Sequence, residues 1–234
     1  MDLNLGKTKV YNRDGVRPPG VEQVGLEAWS PEGLVVLGTP VGHAEFVQAK
    51  VSERVAEEQK LLDAVCGLPD PQCAWQLLSK CCGPRANYLI RTLPPSASRE
   101  YAEEHDERLW SAAVHILGAQ QVDLEAMAEG RLVARLPARL GGLGLRSAVR
   151  VAPAAYWASW ADTLPMIVKR SPHQAQKILE CLASAPQGCL GELSQSATLL
   201  DAEGFDSRPT WNALASGTRP PRPEQPDLGE WAHG

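Results

Sequence analysis

The spacing of apolar residues changes along this chain, and the changes mark off its elements. Leu3, Leu5, Lys7, Lys9 and Tyr11 alternate around Gly6 without a helical period, which predicts the end of a strand pair. Asp14-Gly15, Pro18-Pro19-Gly20 and Ser30-Pro31 then punctuate a loop over residues 14–33. Leu34 to Leu37 is a short apolar run with two valines between Gly33 and Gly38, and reads as a strand. A turn follows over residues 38–42. From there Val47, Val51, Val55, Leu62 and Val65 keep a three-to-four spacing, with Glu53, Glu57 and Lys60 on other faces. That predicts an amphipathic helix of about 22 residues ending near Gly67.

Helical signals continue beyond it. Asp70 is a natural N-cap with Pro71 at the first helical position, Trp75, Leu78 and Cys82 form the apolar stripe, and Gly83-Pro84 ends the helix. A short helix over residues 85–93 closes at Pro94-Pro95. Ser98 opens another, with Glu100 in its first turn and Tyr101, Leu109, Ala112 and Ile116 on its apolar side. A further helix spans residues 123–132. Residues 136–145 are apolar but broken by Pro137, Gly141, Gly142 and Gly144. Helices resume over 147–168, with an interruption at Pro165, and over 172–183. Past Asp206 come Pro209, Pro220, Pro221, Pro223 and Pro226 with few aliphatic residues, which predicts a disordered tail. The expected fold class is mainly α, with a small β portion in front. No internal repeat is visible.

With 234 residues, 44% of them hydrophobic and 22% charged, the chain can bury one good core. No run approaches the roughly 20 apolar residues that cross a bilayer, so no membrane partner is expected. The first dozen residues carry charges where a signal peptide needs its apolar region, which points to an intracellular, cytoplasmic or nuclear, protein. Cys66, Cys73, Cys81, Cys82, Cys181 and Cys189 form no CxxC pair and no zinc-finger spacing with His, so core thiols are expected and no metal site. The net charge of −5 argues against nucleic acid, but its distribution argues otherwise. Residues 71–99 hold Lys80, Arg85, Arg91 and Arg99 with no acid. Residues 131–161 hold Arg131, Arg135, Arg139, Arg146 and Arg150, again with no acid. Residues 100–129 hold eight acids against Arg108 alone. Such segregation can build a local anion-binding surface on an acidic protein; solvated helix faces give the same pattern.

Several catalytic readings fail. Gly6-Lys7-Thr8 is not a phosphate loop, because the position that needs the first glycine is Met1 and loop, not helix, follows. Gly141-Gly142-Leu143-Gly144 does not extend to GxGxxG. His43, His105, His115 and His173 have no i, i+4 partner for a helical zinc site. Glu104-His105-Asp106 reads as a solvated helix face. No GxSxG elbow is present.

The order of the remaining motifs is more informative. Asn4-Leu5-Gly6-Lys7-Thr8 is similar to the NxxK[ST] segment that closes the palm of non-LTR retrotransposon reverse transcriptases. Leu37-Gly38-Thr39-Pro40-Val41-Gly42 resembles the LGxPxG element at their palm–thumb join. The stretch from Leu136-Pro137 through Gly141-Gly142-Leu143-Gly144-Leu145-Arg146 resembles the LPxxxGGLGLR run downstream of the thumb. Asp70-Pro71-Gln72 and the run Arg85-Ala86-Asn87-Tyr88-Leu89-Ile90-Arg91-Thr92 suit the helical region between. The resemblance covers residues 3–160.

It implies a palm-end remnant over residues 1–42, a helical, thumb-like bundle over 43–165, a helical extension over 166–205 and the disordered tail over 206–234. It makes Lys7 the family's general-acid position, beside the leaving pyrophosphate. It makes Lys80, Arg85, Arg91, Arg135, Arg139 and Arg146 candidates for backbone contacts to an RNA–DNA hybrid, which carry no sequence information. The family works with Mg²⁺ held by aspartates that lie upstream of the NxxK[ST] segment. This sequence opens three residues before Asn4, so the chain as it stands is expected to need no cofactor, to be inactive as an RNA-directed DNA polymerase, and to bind nucleic acid weakly. The rival expectation is a non-catalytic helical scaffold that recruits protein.

Overall fold

The computed structural model describes residues 7–24, 28–121, 123–184 and 186–219. The chain divides into two compact units, Met1–Glu57 and Glu58–Gly234.

In the first unit, Val10 bridges Trp29 in parallel, with its N–H donating to the Ala28 carbonyl at 2.6 Å and its carbonyl accepting from Ser30 at 3.0 Å. The short helix α1, Val21–Val24, lies between these segments. Strand β1, Gly33–Val36, pairs antiparallel with β2, Thr39–Gly42, from Gly33↔Gly42 to Val36↔Thr39. The expected turn over 38–42 is therefore a strand. The reversal is confined to Leu37 and Gly38, both at positive φ (50° and 89°), the geometry a two-residue hairpin needs. Leu37 pointing into solvent, 92% exposed, gives no packing sign of this from sequence. Helix α2 runs Ala44–Cys66 and carries the boundary between the units. Its predicted stripe is the buried one at Val51, Val55, Leu62 and Val65.

Among its described residues the second unit is built of helices. Asp70 caps α3, Pro71–Leu77, accepting from the Gln72 N–H at 2.8 Å, with Pro71 at the first position. The helix then widens to a π-turn, Leu78–Cys82, and tightens to a 3₁₀ turn, Gly83–Arg85. Pro84 explains the change of register. It has no N–H to offer the Lys80 carbonyl, and its ring would clash there in an α-turn. Helices α4, Ala86–Thr92, and α5, Pro95–Ile116, follow, with α5 starting three residues before the expected Ser98. After α6, Leu124–Arg135, a 3₁₀ turn at Ala138–Leu140 leads into the glycine loop.

Helix α7, Ala148–Arg170, passes through Pro153 and Pro165 without a break. The interruption expected at Pro165 is absent because α7 packs on α4, α5, α8 (Pro172–Ala183) and α9 (Gly188–Ala202), and that burial outweighs the roughly 3 kcal/mol a helical proline costs. Helix α9 falls within the helical extension expected over 166–205, though the residue pattern set no separate bounds for it.

Among the described residues of this unit, two apolar clusters stand out. One joins Leu62 and Val65 of α2 to Leu78, Leu109, Ala113 and Leu145. The other joins Tyr156, Trp157 and Leu164 of α7 to Leu193, Leu200 and Leu214. Leu214 corrects the tail. Disorder expected from Asp206 onward gives way to α10, Trp211–Ala215, capped by Thr210 and fully buried at Leu214. Trp211 lies 5.6 Å from Trp157, and the Arg208 guanidinium covers the same ring at 5.0 Å. The prolines that suggested disorder fall mostly beyond residue 219, outside the described residues. Among the described residues no helix is long and apolar enough to cross a membrane.

Candidate nucleic-acid interface

The glycine loop is built by backbone contacts. Leu143 and Leu145 both donate to the Ala134 carbonyl, at 3.2 and 3.1 Å, and Gly144 donates to Leu136 at 2.9 Å. The chain thus folds back on the end of α6. A Cβ on Gly142 would lie 2.0 Å from the Leu136 carbonyl oxygen, so no other residue fits there. Gly141 and Gly144 sit at positive φ, 81° and 68°. The fold-back carries Arg139 and Arg146 to one wall of a cleft of about 660 Å³, and the π-turn carries Lys80 to another. Trp75, Gln76, Ser79 and Asn87 are among the other residues that line it, and no acidic residue does. Lys80 and Arg139 are exposed, with no carboxylate partner among the described residues. Three cations and no carboxylate on one concave surface make a local positive field, the electrostatic arrangement that attracts anions.

The other sequence-predicted residues lie elsewhere. Arg91 pairs with Asp162 at 3.3 Å, linking α4 to α7. The Arg85 Nε stands 4.0 Å from a Glu58 carboxylate oxygen. Arg135 lines a much smaller hollow with Asp106, Trp110 and Arg131, which Arg146 borders from the cleft side. Lys7 is exposed in the first unit, and Asn4, Leu5 and Gly6 of its motif lie outside the described residues. Of the six basic candidates, Lys80, Arg139 and Arg146 therefore line one cleft. The pairing of Arg131 with Glu107 at 2.6 Å shows what occupies one of the rest of the basic run.

Sequence reasoning missed the polar residues behind the cleft. Glu58, Tyr101, His105 and Asp106 are 4%, 1%, 5% and 7% exposed, so His105 and Asp106 are not the solvated face expected of them. His105 Nδ1 is 2.8 Å from Glu58 Oε2, and its Nε2 is 3.2 Å from the carbonyl of Gly83, a cleft residue. The Tyr101 hydroxyl donates to the other Glu58 oxygen. Asp106 accepts from the Ala148 N–H at 2.6 Å and from the Ser147 hydroxyl, fixing the start of α7 directly after Arg146. A signal existed. Glu58 falls in register with Val51, Val55, Leu62 and Val65, and His105 falls between Tyr101 and Leu109, so both stand on apolar stripes where a charge must find a partner.

The cysteines also differ from expectation. Cys82 is buried, Cys66 half-buried, and Cys73, Cys81, Cys181 and Cys189 are exposed. Burial pushes the Cys82 thiol above its ordinary pKa, and the hydrogen bond to Asp70 does the same to Cys73. The Mg²⁺ that the resemblance implies needs clustered carboxylates. No group of three or more His, Cys, Asp or Glu among the described residues is placed to hold a metal, so these residues do not fit the ion.

No protein-family model matches this chain, and no solved structure does. Over 114 residues it is 28% identical to the Retrotransposable element SLACS 132 kDa protein of Trypanosoma brucei gambiense. The shared stretch is 48% of this chain and 9% of that protein, so the chain spans a small part of its relative. The similarity supports a retroelement-related origin.

Proposed function

We propose that this chain is the thumb-type portion of a retroelement reverse transcriptase, non-catalytic as it stands, whose cleft grips the phosphate backbone of a template–primer hybrid. The observation that carries the reading is the meeting of Lys80 with Arg139 and Arg146 in one acid-free cleft from two separate stretches of sequence. Phosphate contacts of this kind give affinity without sequence preference and a steep dependence on salt. The motif order across residues 3–160 and the similarity to a retrotransposable-element protein both support it.

The test is a salt titration of binding to a fluorescent RNA–DNA hybrid. The expected dissociation constant is roughly 10⁻⁴ to 10⁻⁶ M at physiological salt. Lys80→Ala, Arg139→Ala and Arg146→Ala should each lower the log–log slope by about one, and Arg91→Ala, whose guanidinium is engaged by Asp162, should leave it unchanged. No binding at low salt, or superimposable titrations for all four variants, would sink the reading.

One observation favours a protein-recruiting scaffold instead. Helix α6 leaves Leu124, Leu132 and Val133 90%, 64% and 50% exposed. That reading predicts hybrid binding that is absent, and self-association or partner binding that Leu132→Glu removes.

A further inference from the structure

A second depression adjoins the basic cleft. It encloses about 330 Å³ between Pro71, Gln72, Ile116 and Leu117, and Trp75 and Gln76 line both spaces. Its character is the reverse of its neighbour's: no charged side chain lines it, and Leu117 is 53% exposed. One indole is therefore the shared wall between three cations and an apolar hollow.

A paired duplex explains only half of this surface. Its phosphates meet the cations, but its bases are stacked on one another and offer no flat face to Trp75. An unpaired nucleotide offers both parts: an anionic phosphate for Lys80, Arg139 and Arg146, and a flat, weakly polar base for the indole and the aliphatic wall. Basic grooves with an aromatic platform are how proteins hold single strands without sequence preference. Gln76, present in both linings, supplies an amide that can donate to or accept from a base edge.

Resting on the reading of the cleft as a nucleic-acid interface, we infer that the hollow beside Trp75 receives an unpaired base, so that the interface prefers a hybrid carrying a single-stranded overhang to a blunt one. Leu117 closes α5 at the rim of the hollow, and Pro71 stiffens the start of α3 across from it. Both are fixed before any ligand arrives, so stacking would cost little ordering of the protein.

The experiment compares three labelled probes of one sequence: a blunt RNA–DNA hybrid, the same hybrid with a four-nucleotide overhang, and the single strand. The parent chain should bind the overhang probe about tenfold more tightly than the blunt one, the scale of one stacked base. Leu117→Glu changes an exposed position and puts a carboxylate beside the base. It should abolish the preference while leaving the blunt hybrid's affinity within about twofold. Trp75→Ala should also abolish the preference, with some loss of blunt-hybrid affinity because Trp75 lines the cleft as well. Trp75→Phe should keep most of the preference, with thermal melts checking that each variant folds. Equal binding of blunt and overhang probes by the parent, with the salt slope still dependent on Lys80, overturns this inference alone. A preference that survives Leu117→Glu and Trp75→Ala overturns it too. Failure of every probe to bind at low salt removes the cleft reading and this one together.

Discussion

Asp106, in the middle of α5, accepts the backbone N–H of Ala148, the first residue of α7, at 2.6 Å. A side chain from a distant helix thus does the work of an N-cap, and Ser147, the local cap, leans on the same carboxylate while accepting from Arg150 at 3.3 Å. The carboxylate is buried, so its charge is compensated by these donors and by the start of a 23-residue helix. The bond ties the glycine loop to the bundle at the residue after Arg146.

Removing that carboxylate should loosen both. Asp106→Ala leaves the Ser147 hydroxyl and the Ala148 N–H without a partner, and is expected to cost about 2–4 kcal/mol in urea unfolding. Asp106→Asn keeps one acceptor oxygen and should cost less than half of that. Equal stability of parent and alanine variant would show that water replaces the contact.

Two glycines separate steric need from helix propensity. Gly142→Ala places a methyl against the Leu136 backbone, where nothing flexible can yield, and should destabilise by about 2–4 kcal/mol. Gly130 lies inside α6 with open space where a Cβ would go, so Gly130→Ala should stabilise by about 0.5–1 kcal/mol. Thermal melts of the two variants should move in opposite directions. A shift of the same sign in both would refute the loop geometry described.

These positions show how far sequence carries. The α2 stripe, the Asp70-Pro71 start and α8 were legible because local rules and tertiary packing agree there. The run through Pro165 was not, because the neighbouring helices override a local preference that sequence alone exposes. Arg139, Arg146 and Lys80 were legible as candidates from charge segregation, but their separation from Arg91 was not. Which arginine meets an acid depends on which helices become neighbours, and Asp162 lies 71 residues from Arg91. Glu58 and His105 were in plain sight on apolar stripes, but finding them means asking of each stripe which polar residue interrupts it.

Alkaline pH should weaken the second apolar cluster through Tyr156. Burial pushes its pKa from the usual 10 up to about 12, and its hydroxyl donates to the Cys189 carbonyl at 3.2 Å. The folded state therefore holds this proton more tightly than the unfolded chain does. Its contribution is complete below pH 10 and is lost as pH rises through 12. The loss approaches about 2–3 kcal/mol. Tyr156→Phe should give up about 1 kcal/mol of hydrogen bonding at neutral pH. Its stability curve should be flatter than the parent's between pH 10 and 12. Parallel curves for the two proteins across that window would assign the alkaline loss to other groups.

The buried Glu58–His105 pair should behave as a unit whose parts matter more than the whole. His105→Leu strands a Glu58 carboxylate oxygen and the Gly83 carbonyl in the core, and Glu58→Leu strands the Tyr101 hydroxyl and His105 Nδ1. Each single change is expected to cost about 3 kcal/mol or more, since it leaves a buried polar group without its partner. Replacing all of them removes what was stranded. The triple variant Glu58→Leu, Tyr101→Phe, His105→Leu fills a comparable volume with apolar groups next to Leu62 and Leu109; the Gly83 carbonyl loses a donor, and the exposed Arg85 loses the Glu58 carboxylate near it. Its cost should be about 1–2 kcal/mol, well below the sum of the single changes, with a coupling energy of at least about 2 kcal/mol. Guanidinium unfolding of the single, double and triple variants measures the terms directly. Additive losses, with the triple variant as weak as the sum of its parts, would mean that the network contributes more than the apolar core that could replace it, and that Gly83 depends on His105 to hold its place beside the cleft.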